Sequence, residues 1–197
     1  MSKKSVIILG KGPSVKRCTR EFIDSFDEVV ACGRPVFLGY EEHIGERAHH
    51  DFANRTSTPY SSEEIERLGI KTHVDTGDGT PLREKFSYGE LDPSTGILAF
   101  DHFVNHPEYD EIAVIGFDLF VTGGKMYYHK NEEFDPAVQW LWEDGTYDEE
   151  GRLTIVSGHK TELMFEYLNA MFDKFQDKIF YVISFQKFES KENVVIL

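Results

Sequence analysis

At 197 residues the chain is long enough for one sizeable core, burying roughly 70% of its unfolded surface. Its 35 acidic and 21 basic residues leave a formal charge of −14, which repels nucleic-acid backbones and anionic lipid, so neither is expected as a partner. No apolar run of about eighteen residues is present to span a bilayer. Met1-Ser2-Lys3-Lys4 runs straight into the first apolar segment, so no signal peptide is expected. Cys18 and Cys32 are the only cysteines, too few for a four-sulfur zinc site. A bridge between them stays open, and reduced thiols in the cytoplasm are the expectation.

The first strand is Ser5–Leu9, and Gly10-Lys11-Gly12-Pro13-Ser14 turns it sharply toward a helix start. The segment from Val15 to Phe26 reads as helical or mixed. Glu28–Cys32 is a second short strand, and Ala48–Ala53 is a weaker one. Ser61, three residues before Glu64, makes a capping box for the next helix. Ile70–Asp75 follows as an alternating strand. Asp92-Pro93-Ser94-Thr95-Gly96 opens a helix through about Asn105, ended by Pro107, and Glu111–Gly116 is the next strand. Phe117–Val156 has aromatics, glycines and acids without clean period, which predicts a lid or a small hairpin insertion. Ser157-Gly158-His159-Lys160 precedes a helix from Thr161 to about Phe175, and Lys178–Ser184 is the last core strand expected.

Strands separated by helices predict a single α/β domain over 1–197, with a mainly parallel, doubly wound, Rossmann-like sheet and helices on both faces. In such sheets ligands sit beyond the carboxyl ends of the strands. That rule gathers Gly10–Ser14, Cys32–Arg34, Ala53–Asn54 and Gly116–Phe120 around one crevice. The glycine turn is suited to an anion, because free backbone N–H groups and a helix N-terminus face the same point. Lys11, Lys16, Arg17 and Arg34 can supply local positive charge. The dinucleotide fingerprint is incomplete, since Val15 stands at the third glycine position and Gly33-Arg34 replaces the ribose-binding acid. Arg34 keeps an NADP-dependent reductase open as an alternative. The P-loop fails, as no Gly-Lys-Ser/Thr follows the turn. His49-His50-Asp51 suggests a metal, but adjacent strand side chains point to opposite faces, so no metal site is expected.

Three ordered segments resemble the sialyltransferases, especially the compact bacterial enzymes. These are Val6-Ile7-Ile8-Leu9-Gly10-Lys11-Gly12-Pro13-Ser14 with Val30-Ala31-Cys32-Gly33-Arg34, then Pro93-Ser94-Thr95-Gly96-Ile97-Leu98-Ala99 leading to Ile112-Ala113-Val114-Ile115-Gly116-Phe117-Asp118, and finally Ser157-Gly158-His159-Lys160. The resemblance implies metal-independent, inverting transfer of sialic acid or a related sugar from a CMP-activated donor to a glycan acceptor, with no cofactor. It implies that His159 is the base, that Tyr127 and Tyr128 donate hydrogen bonds to the departing phosphate, and that Gly10, Gly12, Ser14, Asn54, Ser94, Thr95 and Gly96 bind the donor, with Lys11, Gly33 and Arg34 as further candidates beside them. Each has a structural rival. His159 can be an ordinary residue before a helix, the tyrosines can pack a loop, and Ser94 or Thr95 can be an N-cap. Asp118 either binds substrate or orients a loop. Lys11 and Gly33-Arg34 stand where the family has asparagines, Asp92 where it has a basic residue, and Phe120 where a hydroxyl would serve. These departures define the alternative of a catalytically silent nucleotide-sugar-binding module on the same fold.

Overall fold

The computed structural model describes residues 3–55, 57–119, 146–147, 153–156 and 159–197, with the backbone alone for 146–147, 153–156 and 159–160. Ten strands appear among them. β1 (Lys4–Leu9), β2 (Glu28–Cys32), β3 (His50–Ala53), β4 (Thr72–Asp75), β5 (Tyr109–Ile115), β9 (Ile179–Ile183) and β10 (Val194–Ile196) form one seven-stranded sheet. Every neighbouring pair in it is parallel, in the order β10-β9-β5-β1-β2-β3-β4. The chain therefore builds outward from β1 through β2, β3 and β4, then crosses back to lay β5 on β1's other side. That reversal puts a topological switch point between β1 and β5, where doubly wound sheets open a crevice.

Five helices precede the three short strands: α1 (Arg20–Asp24), α2 (Glu41–Ile44), α3 (Ser62–Leu68), α4 (Pro81–Lys85) and α5 (Thr95–Val104). One turn of 3-10 helix over Pro13–Arg17 stands between β1 and α1. A small antiparallel sheet joins β6 (Thr146–Tyr147), β7 (Leu153–Val156) and β8 (His159–Lys160), and α6 (Thr161–Lys174) follows at once. Beyond β6 and β7, the stretch expected to form a lid lies outside the described residues after Leu119.

Side-chain alternation splits the core into two layers. Val6, Ile8, Val30, Phe52, Ile112, Val114, Phe180 and Val182 pack against α5 and α6 through Ile97, Phe100, Phe103, Met164, Leu168 and Phe172. Ile7, Leu9, Val29, Ala31, Ala113, Ile115 and Ile183 face Val15, Ile23, Phe26, Ile44 and Leu68 on the opposite layer. With helices on both sides, the central strands are buried on both faces and read as continuous apolar runs. α3 starts as the sequence predicts: Ser61 Oγ accepts the Glu64 N–H at 3.2 Å, and Glu64 Oε2 accepts the Ser61 N–H at 2.8 Å. The helix expected from Asp92 begins three residues later, with Ser94 as its N-cap. The expected last strand is followed by a further one, β10, at the sheet edge.

Candidate functional site

At the switch point the backbones of β1 and β5 nearly touch. Gly10 N–H donates to Ile115 O at 2.8 Å and Gly12 N–H to Gly116 O at 2.9 Å. A Cβ on Gly10 would lie 2.6 Å from Gly116 O, and one on Gly12 would collide with the Asp118 carboxylate. Any larger residue at either position must push the two strand ends apart. Asp118, buried just past β5, accepts the backbone N–H of Ser14 at 2.8 Å through Oδ2. Its Oδ1 accepts the Phe185 N–H at 2.8 Å and the Ser184 hydroxyl at 3.3 Å. Ser14 is fully buried, and its own hydroxyl donates to Ile183 O at 3.2 Å. The three N–H groups expected to cradle a phosphate therefore already have protein acceptors. Of the two roles left open for Asp118, the contacts are those of a residue that orients loops.

The ends of β2 and β3 are also tied together. Arg34 has a left-handed backbone (φ 56°), uncommon for a residue with a side chain. Its guanidinium holds it there, donating from Nε to Asp51 Oδ2 at 3.2 Å and from a terminal nitrogen to the Ser57 carbonyl. The Arg34 side chain is 12% exposed. His73 Nδ1 lies 2.9 Å from the same Asp51 oxygen, while Asp51 Oδ1 is buried with no hydrogen-bond partner among the described residues. Asn54 Oδ1 accepts from the Ser57 N–H at 3.1 Å and the Ser57 hydroxyl at 3.0 Å, fixing the turn after β3. The Lys11 ammonium lies across the end of β2, 3.2 Å from where a Gly33 Cβ would stand. The Cys32 thiol beneath it is pushed up by burial first and by the Asp51 charge second, with Lys11 pulling the other way.

The N-terminus of α5 closes the far side. Ser94 Oγ accepts the Ile97 N–H at 3.4 Å, and Thr95 Oγ1 meets Thr76 Oγ1 at 3.1 Å. Gly96 lies under the Phe117 ring, whose Cζ would be 2.9 Å from a Cβ. Arg83 fixes both approaching loops, bonding the Pro93 carbonyl at 3.1 Å, the Thr76 carbonyl at 3.4 Å and the Asp92 carboxylate. One end of α5 thus touches Phe117 after β5 and Thr76 after β4. The sheet order lays the ends of β1, β2 and β3, with Lys11, Gly33 and Asn54, between those two points.

His159 stands in β8, where its backbone pairs with Val156, two residues before α6. Tyr127 and Tyr128 lie outside the described residues. Among the described residues no group of three or more His, Cys, Asp and Glu side chains gathers to hold a metal ion, and no helix is long and apolar enough to cross a membrane. Phe117 falls within the Gly116–Phe120 segment that the sequence placed at the crevice. Sequence reasoning missed Thr76 and Arg83 as its walls, and neither carries a local signal. No family model and no curated protein sequence matches this chain.

Proposed function

We propose that the chain is a glycosyltransferase of sialyltransferase type that binds a CMP-activated sugar at the switch-point crevice. The observation that carries the reading is the placement of the Ser94-Thr95-Gly96 turn. It opens a ten-residue helix at the carboxyl ends of the strands, beside Phe117 and Thr76. A helix N-terminus with an added hydroxyl suits the phosphate or carboxylate of such a donor, and Lys11 adds a charge at the end of β2. The glycine turn then serves as scaffold rather than cradle, because Asp118 already takes its Ser14 N–H.

In this reading His159 accepts the acceptor hydroxyl proton as that oxygen bonds the anomeric carbon. The bond from that carbon to the CMP phosphate oxygen breaks, and CMP leaves with the electron pair. Tyr127 and Tyr128 would donate to the departing phosphate. Arg34, on which an NADP reading rests, is engaged by Asp51 and Ser57. Calorimetry with CMP, CDP, UDP, GDP and NADP tests the assignment. Selective binding of CMP is expected, whereas preference for another nucleotide replaces the donor. Binding of CMP without turnover against any glycan acceptor leaves the silent nucleotide-sugar-binding module.

A further inference from the structure

We propose that His49 is an acid-released latch between β2 and β3, whose unprotonated Nδ1 holds the start of β2 and whose protonation frees the β3–α3–β4 flank. The latch is at the opposite end of the sheet from the crevice and does not depend on which ligand binds there.

The geometry defines the protonation state. Val29 N–H donates to His49 Nδ1 at 2.9 Å, while His49 N–H donates back to Val29 O at 2.7 Å. An imidazole nitrogen accepts only through its lone pair, so the bonded ring is the neutral tautomer with its proton on Nε2. A proton arriving from solvent takes that same lone pair. Two N–H groups then face each other, and the Val29 N–H is left buried without an acceptor. Leaving such a donor unmade costs more than the bond itself contributes.

The surroundings oppose charge on His49. Burial disfavours the imidazolium first, followed by the positive charges of Arg47 from the preceding loop, Lys71 from before β4 and the neighbouring His50; only Glu28 of β2 favours it. Arg47 is itself anchored to Asp24 at the end of α1, and Asp27 is committed to Ser5. Glu28 is shared among Tyr109, His50 and Lys4. The next residue, His50, is held elsewhere, with Nε2 2.9 Å from the Glu28 carboxylate and Nδ1 2.6 Å from Thr72 Oγ1.

The flank is built to open locally. β2 and β3 share three register pairs, Val30 with His50, Ala31 with Asp51 and Cys32 with Phe52, so the His49 pair is a fourth clasp at the open end. β4 is the outermost strand, and Thr72 and His73 are exposed. The Lys71 and Thr72 N–H groups both bond His49 O, at 2.9 and 3.3 Å, so loss of the latch is transmitted to β4. Local openings of this kind are read by amide exchange.

The test is amide hydrogen exchange by NMR on the full chain at about pH 7.5 and about pH 5.5, corrected for intrinsic rates, with nitrogen spectra of the His49 ring recorded alongside. Protection at Val29, Lys71 and Thr72 is expected to fall by about tenfold or more in acid, in step with protonation of His49 Nδ1. In His49→Asn, whose side-chain oxygen can accept the same N–H without titrating, protection at those amides should hardly change with pH. Val29 protection that ignores pH in the natural chain, or a His49 ring that titrates without changing it, overturns the proposal. So does a folded His49→Asn variant that loses protection equally. The ring titration needs no variant and decides the matter if His49→Asn does not fold.

Discussion

The Asp118 carboxylate accepts the backbone N–H of Ser14 at 2.8 Å, across 104 residues of sequence. The bond joins the glycine turn after β1 to the end of β5, and the other carboxylate oxygen carries the connection to Phe185 after β9. Three strand ends that would otherwise splay around the switch point are held by one buried side chain. The turn resembles an anion-binding turn because it does bind an anion, and that anion belongs to the protein.

Asp118→Ala should therefore destabilise the fold by about 2–4 kcal/mol, since it strands the buried Ser14 N–H, takes the acceptor from the part-buried Phe185 N–H and removes a partner of the Ser184 hydroxyl. Asp118→Asn retains one acceptor oxygen and should cost about half as much. Urea unfolding of the three proteins measures the series. If Asp118→Ala is as stable as the natural chain, the carboxylate is not the tie described here.

The sequence made the sheet legible where strands are buried on both faces. Ser5–Leu9, Glu28–Cys32 and Glu111–Gly116 stand out because neither side of those strands meets water. β10 has three residues, and α2 and α4 have four and five, too few for any period to develop. The Ser94-Thr95-Gly96 turn was visible because capping chemistry is local. The partnerships of Asp118 with Ser14 and of Arg34 with Asp51 were not, because both are made between elements distant in sequence. Arg34 read as a ligand-binding cation for that reason, since nothing beside it in sequence announces the carboxylate it meets.

Lys11 extends its ammonium over the end of β2, beside the crevice. Lys11→Gln should weaken CMP binding by about 1–3 kcal/mol if the ammonium makes a charge-assisted phosphate contact. Calorimetry of both proteins reads this directly, with urea unfolding as the control for the fold. An unaltered dissociation constant removes Lys11 from the ligand.

Acid should unfold the protein in two stages. His102, packed among Phe52, Phe103 and His106, is held below its ordinary 6.5 by burial first, then by the charges of His106 and His50. Its pKa is depressed in the fold, so the unfolded chain binds the proton more tightly and stability falls as pH drops through 6.5 and below. Burial raises Glu28, but hydrogen bonds from Tyr109, His50 and Lys4 outweigh it and bring the carboxyl from 4.5 down to about 2. Its contribution is complete above 4.5 and is lost as pH falls from there toward 2. Melting temperatures across this range should decline twice. His102→Gln should remove its share of the first decline, and Glu28→Gln should flatten the second. A single transition unaffected by either substitution contradicts the assignment.

His159 lies two residues ahead of α6, in a short strand paired with β7, and is assigned to the acceptor rather than the donor. A base that touches only the acceptor hydroxyl contributes little to nucleotide affinity but carries the proton in the transition state. His159→Ala should therefore leave the CMP dissociation constant within about twofold and lower turnover by about 100-fold or more. Turnover is read by release of CMP in the presence of a glycan acceptor, and binding by calorimetry on the same preparations. Equal losses in binding and turnover would place His159 against the donor instead. Unchanged turnover would remove it from the mechanism and direct the search for the base to the other histidines of the chain.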